Sequence, residues 1–186
     1  MIRTDLWESR AAMPTALSAD SLAAFEGKIY LFGGWDGERY VGSTYEYDPS
    51  ADEWRARAPM PTARGFAGAA IVGGRILVIG GCDDKQPLAV NEQYSPERDN
   101  GDQNPWSLRQ PLPSPRCAMG VASLANFVYA IGGRGVSNTL APPLQYLPQD
   151  EWQEVDSPAL RIGSNLALVP VQTSIYAIGG RLRNHR

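Results

Sequence analysis

The chain has 186 residues, 43% of them hydrophobic, and its 17 basic and 20 acidic side chains give a formal net charge of −3. That length can bury a core; the lack of any basic run argues against nucleic acid as a partner, and no window approaches the ~18 consecutive apolar residues of a membrane helix. Two cysteines cannot build a disulfide framework and the first residues lack the apolar stretch of a secretory signal, so the expectation is a soluble, cytoplasmic chain with Cys82 and Cys117 as reduced, unpaired thiols.

In chain order, the pattern predicts a short strand at 6–10 around Trp7 and then a unit over residues 16–57. Its strands are Leu22 to Phe25, Ile29 to Phe32, Ser43 to Tyr47 and the stretch opening at Trp54. The next unit, 64–109, is the clearest: a small-residue run from Gly65 to Val72 passes through Gly73-Gly74 into Arg75 to Ile79, two β-rich runs joined as a hairpin. A third run, Ala89 to Tyr94, and a fourth from Trp106 complete it. The order recurs in 116–155, and a last hairpin over 162–180 ends the series.

Four tryptophans (Trp7, Trp54, Trp106 and Trp152) each run into a glycine pair at nearly constant distance, and successive pairs begin 47, 52 and 47 residues apart. A period of this length suits a four-stranded propeller blade. We name the strands of each unit A to D. Strand A carries small residues such as Ala67, Gly68, Ala69, Gly120 and Ala122, as befits strands crowded around an axis, so A is expected innermost. Each Trp is expected to seat its ring between blades with its N–H partnered, and the glycine pairs to provide positive φ and close approach.

Met13-Pro14, Met60-Pro61 and Leu112-Pro113 precede strands A, with Ser157-Pro158 a weaker counterpart; Tyr47-Asp48-Pro49, Tyr94-Ser95-Pro96 and Tyr146-Leu147-Pro148 follow strands C. With the diglycines and tryptophans, these motifs resemble kelch repeats over almost the whole chain. The resemblance implies an all-β, kelch-type β-propeller of four-stranded antiparallel blades, about four in number, forming a single domain over 1–186. The chain falls short of the six or seven blades usual in such propellers. Four readings stay open: a four-bladed ring closed by both termini, an open arc, a truncated reading frame, or half of a two-chain ring. Open sheet edges would favour self-association.

In an antiparallel meander the D–A and B–C connections share one rim. There the sequence places Arg64, Arg116 and Arg161 ahead of strands A, Arg134 and Arg181 after the glycine pairs, and Trp35 beside them. Guanidinium groups bind carboxylates through paired hydrogen bonds, so these six residues are the candidate binding set. Asp36, Asp83 and Asp84 lie on the same rim and are candidates to neutralise it. In BTB-kelch ligase adaptors, arginines at the two positions hold acidic segments; Arg64 and Arg116 match the first position, Arg134 and Arg181 the second, and Leu17 breaks the series. No BTB or BACK segment lies in these 186 residues, so an adaptor role is not implied. The insertion at 97–105 is expected at the opposite rim as a tolerated surface loop.

One histidine, His185, rules out the copper site of galactose oxidase, and two thiols without histidines make a poor zinc site. No nucleophile elbow or catalytic triad is legible. The expectation is therefore a noncatalytic protein-binding module without cofactor or metal, taking a protein or peptide partner of acidic character. Two alternatives remain: a sugar-acid epimerase or mutarotase, by analogy with bacterial kelch proteins acting on sialic acids, and an assembly role through open blade edges.

Overall fold

A computed structural model describes residues 7–136, 142–156 and 163–181. Three four-stranded antiparallel sheets and one hairpin make up the described chain. The first blade comprises β1 (Ser21–Phe25), β2 (Lys28–Phe32), β3 (Thr44–Asp48) and β4 (Glu53–Arg57). The second comprises β5 (Gly68–Val72), β6 (Arg75–Ile79), β7 (Asn91–Tyr94) and β8 (Trp106–Leu108). The third comprises β9 (Gly120–Leu124), β10 (Phe127–Ile131), β11 (Leu144–Leu147) and β12 (Glu151–Glu154), and β13 (Ser164–Val171) pairs with β14 (Ser174–Arg181). Each blade is a simple meander, because strands joined by two-residue turns or short loops pair with their sequence neighbours.

The innermost strands β1, β5, β9 and β13 touch in succession, so the small residues do line the axis. At Gly68 an added Cβ would lie 2.0 Å from the Val121 side chain of the next blade, which is why nothing larger fits there. At the start of the inner strands, one backbone hydrogen bond passes from blade to blade: Phe66 N–H to the Ala19 carbonyl (2.7 Å), Ala118 to Phe66 (2.8 Å) and Asn165, within β13, to Ala118 (2.8 Å). These four residues all adopt positive φ, between 54° and 59°. L-residues adopt that conformation at a cost; here the turn it makes aims each N–H at the preceding unit.

Between blades lie two apolar layers. Tyr30, Phe32, Met60, Ile76, Val78, Tyr94 and Trp106 fill the first junction. Leu77, Ile79, Leu112, Met119, Val128, Leu144 and Tyr146 fill the second. A repeated polar clamp holds the segment that enters each blade. Trp54, Trp106 and Trp152 donate their indole N–H to the carbonyls of Ala11, Ala58 and Gln110, at 3.0, 2.9 and 2.9 Å. The N–H groups of those same three residues donate to the carboxylates of Asp52, Asp99 and Asp150, each at 2.9 Å. Each aspartate also accepts the hydroxyl of its blade's tyrosine, Tyr47, Tyr94 or Tyr146. One residue ahead of each four-stranded blade is thus held by both its backbone groups.

Two expectations change here. Residues 7–10 form no strand and Trp7 is 94% exposed, because among the described residues no sheet offers them a partner; residue 6 lies outside the described residues. The 97–105 insertion is more than a tolerated loop, since its Asp99 supplies the clamp of the first junction. The described sheets do not close into a ring. The outer edge of β14 is unpaired among the described residues, and Tyr176 and Ile178 are more than half exposed.

Candidate functional site

Bridges Ser18 to Trp35, Gly65 to Cys82 and Cys117 to Arg134 join each D–A linker to the B–C loop of its own blade, so both loop sets do share one rim. The diglycine is what brings neighbouring blades together at this rim. Gly33 and Gly80 have φ of 62° and 59°, and a Cβ on either would fall 2.2 and 2.5 Å from the carbonyls of Arg64 and Arg116 in the next linker. The glycines that follow use their N–H groups on those same carbonyls, at 2.9 and 3.0 Å.

That close approach removes two expected binding residues from solvent. Arg64 and Arg116 are both 0% exposed, because the extended linker turns their side chains inward beneath the rim. Arg64 is an internal partner of Glu92 on β7, itself 1% exposed, and also donates to the carbonyls of Thr62 (2.9 Å) and Val78 (3.0 Å). The second Glu92 oxygen takes the Thr62 hydroxyl at 2.7 Å. Burial lowers the Arg64 pKa and the Glu92 charge opposes it. Arg116 donates to the Pro142 carbonyl (3.0 Å) and the Ser114 hydroxyl (2.9 Å), and among the described residues it has no carboxylate within 4.0 Å. Leu144, paired with Ala130, occupies the register that Glu92, paired with Val78, holds one blade earlier.

Three other candidates lie nearer the surface. Arg134 is exposed, its guanidinium 6.0 Å from the Phe66 ring centre and 3.8 Å from the Cys117 sulfur, with no ion pair among the described residues. It borders a cleft of about 250 Å³ shared with Tyr40, Lys85, Gln86 and Asp84. Trp35 packs edge-on against Tyr40 at 5.1 Å, and Tyr40 continues to Phe66 at 6.5 Å. Arg181 is exposed at the end of β14 opposite Ser164, and Arg161 lies outside the described residues. Five arginines therefore do not converge on an open rim: of the expected set, Arg134 lines the cleft, Trp35 packs behind its Tyr40, and Arg64 and Arg116 are buried.

Of the expected neutralising aspartates, Asp84 borders the cleft, and Asp36 and Asp83 are engaged by their own loops. Asp36 accepts the N–H groups of Glu38 and Arg39 (2.9 and 2.8 Å), and Asp83 those of Lys85 and Gln86 (2.8 and 2.7 Å). These backbone donors, Arg39 and Gln86 foremost, hold both carboxyls below the usual range. They shape their own loops. The cysteines are also corrected: Cys82 and Cys117 form a disulfide with Cα atoms 5.5 Å apart, linking the second blade's B–C loop to the linker entering the third. Sequence distance hid the pair, since 35 residues separate them and only the stacking of adjacent blades brings them together. Glu92, Tyr40 and the three clamp aspartates were not singled out from sequence. A periodic signal was present only for the aspartates, each four or five residues after its tyrosine.

Meandering four-stranded sheets stacked around an axis, with diglycines and Trp–Tyr clamps, define a kelch-type propeller fold that is open among the described residues, and the chain carries kelch repeats. The kelch motif matches residues 21–61 and 63–103. Among curated relatives, Kelch-like protein 33 of Homo sapiens is 39% identical over 82 residues, covering 41% of this chain and 15% of that protein. Kelch repeat and BTB domain-containing protein 1 of Cowpox virus (strain Brighton Red) is 31% identical over 75 residues, covering 40% of this chain and 13% of that protein. The chain thus spans a small fraction of the length of these relatives. The solved structure of YjhT superposes with a TM-score of 0.79 at 17% identity, over 92% of this chain and 60% of that one. At that identity the likeness concerns the fold alone.

Proposed function

We propose that the chain is a protein-interaction module whose D–A and B–C rim takes an acidic segment of a partner at the cleft beside Arg134. The observation that carries this reading is a guanidinium with no ion pair among the described residues, stacked near Phe66 and bordering a cleft of about 250 Å³. Lys85 adds a second cation, and the Trp35–Tyr40 pair adds rigid aromatic surface of the kind that anchors interfaces. A carboxylate entering there gains charge-assisted hydrogen bonds from Arg134 and Lys85, set against Asp84 and against Asp83, whose carboxylate is turned onto its own loop. Kelch repeats in the relatives named above make protein binding the natural class.

The test is fluorescence anisotropy with a labelled glutamate-rich peptide and a neutral peptide of the same length. Arg134→Glu is expected to weaken binding of the acidic peptide by about tenfold or more, the worth of one charge-assisted contact. Equal affinity of wild type and variant would remove this rim as the contact.

A further inference from the structure

We propose a second, separate site at the opposite rim: a carboxylate-binding pocket between the second and third blades, formed by Arg75 and Arg109. It rests on comparing two junctions that share one backbone plan. Lys28 and Arg75 each open strand B, Glu46 and Gln93 each precede the strand C tyrosine, and Arg57 and Arg109 each follow the blade's tryptophan by three residues. Tyr30 and Leu77 are likewise equivalent, third in strand B.

In the first blade this constellation is complete. Glu46, 2% exposed, accepts Lys28 Nζ at 2.6 Å and the Nε and a terminal nitrogen of Arg57 at 3.0 and 2.7 Å. Tyr30 fills the space alongside; burial, then the Glu46 charge, raises its pKa and keeps its hydroxyl protonated. One carboxylate thus serves two cations.

In the second blade the cations remain and the carboxylate is gone. Gln93 accepts Arg109 Nε at 2.9 Å but carries no charge. Arg75 makes no ion pair among the described residues, and the nearest acid, Asp150, stands 3.9 Å from Arg109 with its other oxygen already holding the Tyr146 hydroxyl and the Gln110 N–H. Leu77 is smaller than the tyrosine it replaces. An open pocket of about 210 Å³ results, bordered by Arg75, Leu77, Gln93, Arg109 and Tyr146, with the hydroxyl-bound Asp150 at its edge. It is smaller than the ~300 Å³ of typical ligand sites, room for a carboxylate and a few carbons. Two guanidinium groups beside a space that a carboxylate-bearing pair fills one blade earlier are matched by an incoming carboxylate, which Arg binds in its planar fork. The source is either a small carboxylic acid or an acidic side chain of a peptide.

The experiment follows arginine Nε–H resonances of the full chain by NMR at fixed ionic strength. One arm titrates sodium glutarate against sodium chloride, and the other titrates a terminally blocked peptide with one central glutamate. Saturable shifts of Arg75 and Arg109 are expected in at least one arm; glutarate alone assigns a small acid, and a tighter response to the peptide assigns a side chain. Gln93→Glu rebuilds the first blade's arrangement and is expected to abolish the shifts while retaining a dispersed, folded spectrum. Arg75→Gln is expected to weaken binding by about tenfold. Arg134→Glu leaves these shifts unchanged, so failure of the rim reading and of this one are separable. No saturable shift in either arm, or an unaltered response in folded Gln93→Glu, overturns the proposal.

Discussion

The first and second blade junctions have the same backbone and opposite electrostatics. At the first, Glu92 meets buried Arg64 and Glu46 meets Lys28 and Arg57, so the buried or half-buried cations find internal carboxylates. At the second, Leu144 and Gln93 stand at the equivalent registers, and Arg116, Arg75 and Arg134 have no ion pair among the described residues. Instead a disulfide fastens that junction. The lesson is that repeat units copy packing and hydrogen-bond clamps closely while charge partners drift independently. A junction whose cations lack their acids keeps its shape through apolar burial and covalent linkage, and it is where an outside anion can be received.

The sharpest way to break this comparison is at Glu92. Glu92→Leu leaves the buried Arg64 charge uncompensated and is expected to cost about 3–5 kcal/mol in urea unfolding, whereas Arg64→Met with Glu92→Leu recovers most of it. Arg116→Met, which removes a cation that has no carboxylate beside it, is expected to be far milder; equal losses for Glu92→Leu and Arg116→Met would mean the junctions are alike. Next in size is the staple. Replacing Cys82 and Cys117 by Ser removes a link that closes a loop of 35 residues, and is expected to lower stability by about 2–4 kcal/mol, with amide exchange rising at the second junction first. Protection lost equally at both junctions would contradict a local role. The same effect makes stability depend on the redox state of the compartment.

The smallest expected effect is in pH dependence. Burial alone would raise the Glu46 pKa, but its bonds to Lys28 and Arg57 hold it below the usual carboxylate value. A carboxyl lowered on folding contributes stability above its unfolded pKa and loses it as pH falls through the folded value. Urea midpoints from neutral pH downward should therefore drop less for Glu46→Gln than for wild type. Gln93, which does not titrate, gives the second junction no such acid limb. Parallel pH profiles for wild type and Glu46→Gln would show that the Lys28–Glu46–Arg57 cluster does not govern acid stability.

Much of the fold was legible because period and residue size carry it. Small residues from Gly65 to Ala70 mark the inner strand, and the glycine pairs mark where a side chain would strike the next linker. The tryptophans were legible as packing residues, yet Trp7 shows the limit: its motif is intact, but an indole stays exposed when no described linker lies beneath it. The candidate site was less legible. Arg64 and Arg134 look alike in sequence as cations near one rim, and only the inward turn of the linker buries the first while the second faces a cleft. Nothing local warns that Ala19, Phe66, Ala118 and Asn165 take positive φ, since that conformation is imposed by the hydrogen bond each unit makes to the next.

By itself, the order of residues determined that this chain repeats, that each unit is a four-stranded meander, and which loops share a rim, because these follow from local periodicity and chain direction. Tertiary structure alone decided which arginines are buried, that Cys82 reaches Cys117, and that Glu92 and Glu46 have counterparts in Leu144 and Gln93 that leave charge unanswered. Those outcomes depend on contacts between units tens of residues apart, and such contacts exist only once the blades have stacked.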